Sequence, residues 1–191
     1  MKALLLVDIQ NDFLPGGALA VKEGDLVIPI ANQLMEKFGH VIATQDWHPK
    51  GHSSFKEIWP VHCVQGSHGA EFPEALHTDR IHKVIRKGED AEIDSYSAFF
   101  DNDQKTETGL LDYLREQNID VLFIMGLATD YCVKYTVLDA LAQGIKVYVI
   151  EDGCRAVNQN RGDGEKALKK MRQKGAKLVQ SSERRFSRPL L

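Results

Sequence analysis

Short β-rich apolar runs recur along this 191-residue chain, and each is followed by a longer amphipathic stretch. Residues 2–7, 41–44, 83–85, 121–125 and 146–150 read as buried strands, with 177–179 a weaker sixth. Helical periodicity falls between them at 26–38, 109–117, 130–143 and 163–174. In the third of these Val133, Val137, Ala140 and Leu141 share one face, and Gly144 stands where a helix end favours glycine. Strands that alternate with helices build right-handed βαβ units, and hence a mostly parallel sheet covered on both faces. Such a sheet takes its ligand beyond the carboxyl ends of the strands, near the point where strand order reverses. The strand-ending residues therefore matter most: Asp8, Asp46, Lys87, Ala128 and Asp152.

No repeat, low-complexity block or Gly/Ser linker divides the chain, so residues 1–191 are expected to form a single three-layer α/β/α domain. A chain of this length can bury about 70% of the surface its unfolded state exposes. Lysine and arginine total 24 against 27 acidic residues, a formal net charge of −3. That balance argues against nucleic acid or an anionic membrane surface as the main partner; a small-molecule substrate is the expected partner. The longest apolar runs, 3–7 and 121–125, are far too short for a membrane span, and Asp8 interrupts a start too short for a secretory h-region. Three widely spaced cysteines, Cys63, Cys132 and Cys154, make no disulfide framework and point to a reducing cytoplasm. Monomer and homo-oligomer both stay open.

One segment breaks the alternation. Residues 45–72 show no clean helix or strand yet hold four of the seven histidines and both tryptophans, which marks them as a metal-binding and substrate-lid segment. Asp46 and His48, two apart at a strand end, point the same way, and the Pro49-Lys50-Gly51 turn can bring His62 to the same place. One carboxylate with two or three imidazoles suits a divalent first-row metal such as zinc or iron better than calcium. His52 is the weakest member and could equally support a ligand from outside. Taken singly, each of these is a surface histidine in a polar loop; their density is what favours a metal.

A second signal is Gly126-Leu127-Ala128-Thr129-Asp130-Tyr131-Cys132, at a strand-to-helix turn. Cys132 would sit in the helix's first turn, where the macrodipole and free N–H groups lower a thiol pKa and can stabilise an oxyanion. A lone cysteine is otherwise a structural core residue, and Cys63 and Cys154 keep that reading. Asp8 closes the first strand, where partial desolvation would raise it toward a general acid or base, or where it could simply cap a turn. Lys87 alone reads as a surface lysine. Gly16-Gly17 forms no dinucleotide fingerprint, and the basic 184–188 tail reads as solvated.

Specific strings stand at Val-Asp-Ile-Gln-Asn-Asp-Phe (7–13), Gln-Asp-Trp-His-Pro (45–49), Trp-Pro-Val-His-Cys (59–63), Lys-Gly (87–88), Asp-Ser-Tyr-Ser-Ala-Phe (94–99) and Gly-Leu-Ala-Thr-Asp-Tyr-Cys-Val (126–133). Together they resemble the nicotinamidase/pyrazinamidase family of the isochorismatase-like cysteine hydrolases. The resemblance runs in order from about Lys2 to Arg155. It implies a six-stranded parallel sheet of order 3-2-1-4-5-6, a catalytic triad at Asp8, Lys87 and Cys132, and metal ligands at Asp46, His48 and His62, with His52 added in some members. It further implies an oxyanion hole from the Ala128 and Cys132 N–H groups, a cis peptide at Ala128–Thr129, and a ring slot of Phe13 and Trp59 with Tyr96 and Ala128 nearby. Only six residues separate His52 from Trp59, fewer than in many relatives.

The activity implied is metal-dependent hydrolysis of nicotinamide to nicotinate and ammonia through a Cys132 thioester, feeding NAD recycling, with pyrazinamide a second substrate. One divalent ion is implied, zinc first and iron or manganese as alternatives. An isochorismatase or N-carbamoyl amidohydrolase is the rival within the superfamily, and the Asp46/His48/His62 cluster argues against it. A non-enzymatic metal-binding regulatory domain is the rival outside it, and would leave Cys132 unreactive.

Overall fold

Leu4, Leu5, Leu6 and Val7 are all fully buried, so the strand they form must be covered on both faces. That strand, β1 (Lys2–Val7), is central in a six-stranded sheet. The computed structural model describes residues 1–188 and 190, with the Glu57 side chain left out; of the expected 1–191 span, Pro189 and Leu191 lie outside the described residues. The other strands are β2 (Val41–Asp46), β3 (Lys83–Lys87), β4 (Val121–Leu127), β5 (Lys146–Arg155) and β6 (Lys177–Val179). Their order is β3-β2-β1-β4-β5-β6 and every pairing is parallel, as expected. The chain leaves β1 toward β2 on one side and runs from β4 to β6 on the other, so β1 and β4 flank the switch point.

Among the described residues five α-helices complete the layers: α1 (Val27–Met35), α2 (Ser54–Glu57), α3 (Leu110–Glu116), α4 (Cys132–Ala142) and α5 (Asp163–Gln173). Helix α1 packs on β1 and β5, while α4 packs on β4, β5 and α5. Val133, Val137 and Ala140 of α4 are buried, and Gly144 follows its last turn with φ +79°. Among the described residues no helix is long and apolar enough to cross a membrane.

Two expectations are corrected here. Strands β2 and β3 run two residues further than their apolar cores, because Gln45↔Arg86 and Asp46↔Lys87 continue the ladder through polar residues. Asp152 does not end a strand near the site. It lies inside β5, where a register shift against β4 bulges the strand, and its carboxylate accepts from the Ser181 N–H at 2.8 Å and from the Ser181 hydroxyl.

The switch point depends on one glycine. Gly126 pairs with Val7, has φ +126°, and a Cβ there would lie 2.1 Å from the Val7 carbonyl oxygen. Replacing Gly126 with alanine adds left-handed strain to a backbone clash that no side-chain rotation relieves. Urea unfolding of Gly126→Ala is expected to show a loss of about 3 kcal/mol or more; stability equal to the parent would contradict this packing.

Candidate active site

Three strand ends and one helix start converge at the carboxyl edge of the sheet. Asp8 follows β1 with φ +47°, Asp46 ends β2, Lys87 ends β3, and Cys132 opens α4. All four side chains are buried. Lys87, read in isolation as a surface lysine, is 1% exposed because its side chain reaches inward to Asp8 and Asp46. Its ammonium lies 3.0 Å from Asp8 Oδ2, donates to Asp46 Oδ1 and to the Ser95 carbonyl (3.0 Å), and reaches Cys132 Sγ at 3.5 Å.

This charge arrangement sets the proton affinities. Burial pulls Lys87 down, but Asp46 and Asp8 outweigh it and hold the ammonium firmly protonated. Burial pushes Asp46 up, yet Lys87 and His48 prevail and keep it well below the usual carboxylate range. Asp8 ends above that range: burial raises it, Lys87 opposes, and Asp46 adds to the rise. Cys132 departs from the expected lowering. Burial pushes its thiol well up, Lys87 pulls against that, and Asp8 and Asp46 reinforce it. Full desolvation of a thiolate outweighs a helix dipole, so the resting group is a thiol that needs a base.

Asp46 faces two ways. While Oδ1 takes Lys87, Oδ2 lies 3.7 Å from His48 Nε2 and 3.9 Å from His62 Nε2, too far for hydrogen bonds. The other ring nitrogens are committed: His48 Nδ1 donates to the Gly88 carbonyl at 2.9 Å and His62 Nδ1 to the Pro60 carbonyl at 2.8 Å. In the neutral rings each Nε2 then carries a free lone pair, and the buried His48 Nε2 has no hydrogen-bond partner among the described residues. Three ligand atoms within 4.8 Å of one another, two oriented by backbone carbonyls, fit a divalent cation. Gly88 is required for this, since a Cβ would lie 2.5 Å from the His48 ring. His52 is not aimed at Asp46; its ring stacks on His48, with Nδ1 against Ser54 Oγ at 2.7 Å and Nε2 against the Ile93 carbonyl at 3.2 Å.

A cavity joins the two halves. Asp46, His62, Ala128 and Cys132 line it together with Phe13, Trp59 and Tyr96. Trp59 Nε1 donates to the Tyr96 hydroxyl at 3.2 Å. The turn before α4 has a cis bond at Leu127–Ala128, not at Ala128–Thr129; the Thr129 N–H extends the β4–β5 ladder to the Arg155 carbonyl, which keeps the following peptide in the sheet's register. The Ala128 carbonyl accepts from Tyr131 and Val133, while the Ala128 and Cys132 N–H groups have no acceptor among the loop and turn bonds of the described residues. The 45–72 segment holds α2 and a 3-10 turn at His68–Ala70 rather than wholly irregular chain.

Sequence reasoning missed several contributors. Tyr131 walls the cavity, stands edge-on to Trp59 at 5.0 Å and is tied by its hydroxyl to Gln159. Gln10 clamps Asp46 from both sides: its Oε1 accepts the Asp46 N–H and its Nε2 donates to the Asp46 carbonyl, both at 2.8 Å. Thr44 bonds to Asp8 from the neighbouring strand. The short β-rich run at 41–44 placed Thr44 on β2 but could not reveal its cross-strand partner.

A family model described as the isochorismatase domain matches residues 2–183. The chain is 50% identical to the nicotinamidase of Escherichia coli, over 93% of each chain. Its structure matches a nicotinamidase/pyrazinamidase of Acinetobacter baumanii with TM-score 0.91 and 44% identity, covering 95% of this chain and 96% of that one. It also matches the pyrazinamidase of Pyrococcus horikoshii in complex with zinc, with TM-score 0.82 and 40% identity, covering 94% and 98%. By these matches the chain belongs to the isochorismatase family and, within it, to the nicotinamidases and pyrazinamidases.

Proposed function

We propose that this protein hydrolyses nicotinamide to nicotinate and ammonia through a thioester on Cys132, supplying nicotinate for NAD salvage, and accepts pyrazinamide as well. The observation that carries the reading is one buried lysine touching Asp8, Asp46 and Cys132, the last two of which line a cavity together with His62, Phe13 and Trp59.

Phe13 and Trp59 clasp the flat pyridine ring, and Tyr96 steadies Trp59. Asp46, His48 and His62 would hold a divalent ion, with zinc favoured by the nitrogen-rich donor set and by the zinc in the Pyrococcus relative. Bound there, the ion would supply a Lewis-acidic anchor for the ring nitrogen and so orient the amide. Asp8 takes the proton from Cys132 as the sulfur attacks the carboxamide carbon. The developing oxyanion is received by the Ala128 and Cys132 N–H groups. As the carbon–nitrogen bond breaks, Asp8 returns the proton to the departing nitrogen and ammonia leaves. Asp8 then deprotonates a water that attacks the thioester, and gives that proton back to the Cys132 sulfur as nicotinate is released. Lys87 keeps its charge throughout, holding Asp8 and the sulfur in one frame.

Cys132→Ala should abolish amide hydrolysis, measured as ammonia release, while melting temperature and bound zinc stay as in the parent. Turnover within about tenfold of the parent, against the much larger losses that follow removal of a nucleophile, would overturn the thioester route. Benzamide keeps the flat ring and the scissile amide but lacks the ring nitrogen. Its kcat/KM should fall on the order of 10²–10⁴ below that of nicotinamide, and His48→Ala should erase most of that difference. Equal values for the two amides at confirmed metal occupancy would remove Asp46, His48 and His62 from substrate recognition.

A further inference from the structure

Asp8 is asked to take and return a proton twice per turnover, yet nothing in a regular strand holds it. The residue lies one position past β1 with φ +47°, a left-handed conformation uncommon outside glycine. Its carboxylate could rotate and exchange its two oxygens unless one is tied. The tie comes from the neighbouring strand. Thr44 is fully buried in β2 and makes two bonds to this one residue. Its Oγ1 accepts the Asp8 backbone N–H at 3.1 Å, and its hydroxyl donates to Asp8 Oδ1 at 2.5 Å.

The two bonds are reciprocal. Because the Asp8 N–H occupies a lone pair of Oγ1, the hydroxyl proton is directed onto Oδ1. The other oxygen, Oδ2, receives no aligned hydrogen bond among the described residues and faces Lys87 Nζ at 3.0 Å as an ion pair. Oδ2 therefore keeps a free lone pair and shares Lys87 Nζ with Cys132 Sγ, which lies within 4.8 Å of an oxygen of the Asp8 carboxylate. We propose that Thr44 is a positioning residue for the proton transfer: by holding Asp8 through both its backbone and Oδ1, it makes Oδ2 the single oxygen that takes the Cys132 proton and returns it. In that step the Sγ–H bond breaks and an Oδ2–H bond forms, the sulfur keeping the electron pair with which it attacks. The Thr44 bond to Oδ1 persists in both protonation states, so the carboxyl group need not turn between accepting and donating. This deepens the nicotinamide-hydrolysis reading and rests on it for substrate turnover, but the positioning of the base can also be measured without substrate.

The test compares the parent protein with Thr44→Val, which keeps the shape and loses the hydroxyl, and Thr44→Ser, which keeps the hydroxyl. Two rates are followed: alkylation of Cys132 by iodoacetamide, read by mass spectrometry of its peptide, and kcat and KM for nicotinamide. Bound zinc and melting temperature are recorded alongside; should Thr44→Val fail to fold, Thr44→Ala replaces it. Loss of one hydrogen bond to a charged group predicts that Thr44→Val lowers kcat by about 10- to 100-fold with KM little changed. Alkylation should slow in parallel, and Thr44→Ser should recover most of both. Equal losses in the Ser and Val proteins, alkylation of Thr44→Val at the parent rate, or a loss of kcat that tracks lost zinc would each overturn the proposal. A parent that alkylates at Cys132 but never hydrolyses nicotinamide would refute the functional reading alone, and the alkylation rates would still decide the role of Thr44.

Discussion

A lysine ammonium removed from water costs several kcal/mol unless opposite charge and hydrogen bonds meet it. Here the Lys87 ammonium is met by two carboxylates and a backbone carbonyl, each from a different part of the chain. That requirement ties β3 to the ends of β2 and β1 and to the loop at Ser95, and it brings Cys132 of α4 within 3.5 Å of the same atom. Removing either carboxylate would leave a buried cation short of its counter-charge, so the ionisation of Asp8, the protonation of Cys132 and the local fold stand or fall together.

Asp46 extends this constraint into the other half of the site. One oxygen faces Lys87 and the other faces two imidazole nitrogens, so the group that helps hold the lysine also belongs to a candidate cation site. Gln10 fixes the Asp46 backbone on both sides, and the Gly88 and Pro60 carbonyls fix the ring orientations of His48 and His62. The sheet thus sets the distance between the place that would anchor a pyridine ring and the sulfur that would attack its amide. Rigid strand ends hold that distance better than loops would.

Much of this was legible in the chain. Apolar runs such as 3–7 located the strands, their alternation with helices implied parallel order, and the density of Asp46, His48 and His62 pointed to a cluster that the fold does bring together. Features that depend on distant partners were not legible. The apolar code ended β2 at Thr44, because the two further residues pair through their backbones whatever their side chains carry. Lys87 looked like a surface lysine until three strand ends met around it. Gly126 and Gly88 mattered only once Val7 and His48 approached them. The direction of the Cys132 thiol was misjudged because a helix start is local and visible in sequence, whereas complete burial belongs to the assembled fold.

The central claim is that sulfur, and not water held at the metal ligands, makes the first bond to the substrate's carbonyl carbon. Nicotinaldehyde, with the nicotinamide ring but no leaving group, tests it most directly. NMR of the bound aldehyde, isotope-labelled at its carbonyl carbon, should give the signal of a tetrahedral carbon bonded to sulfur, and Cys132→Ala should lose that signal. A carbon that stays trigonal in the parent protein, or that becomes tetrahedral by adding oxygen instead of sulfur, would contradict the account.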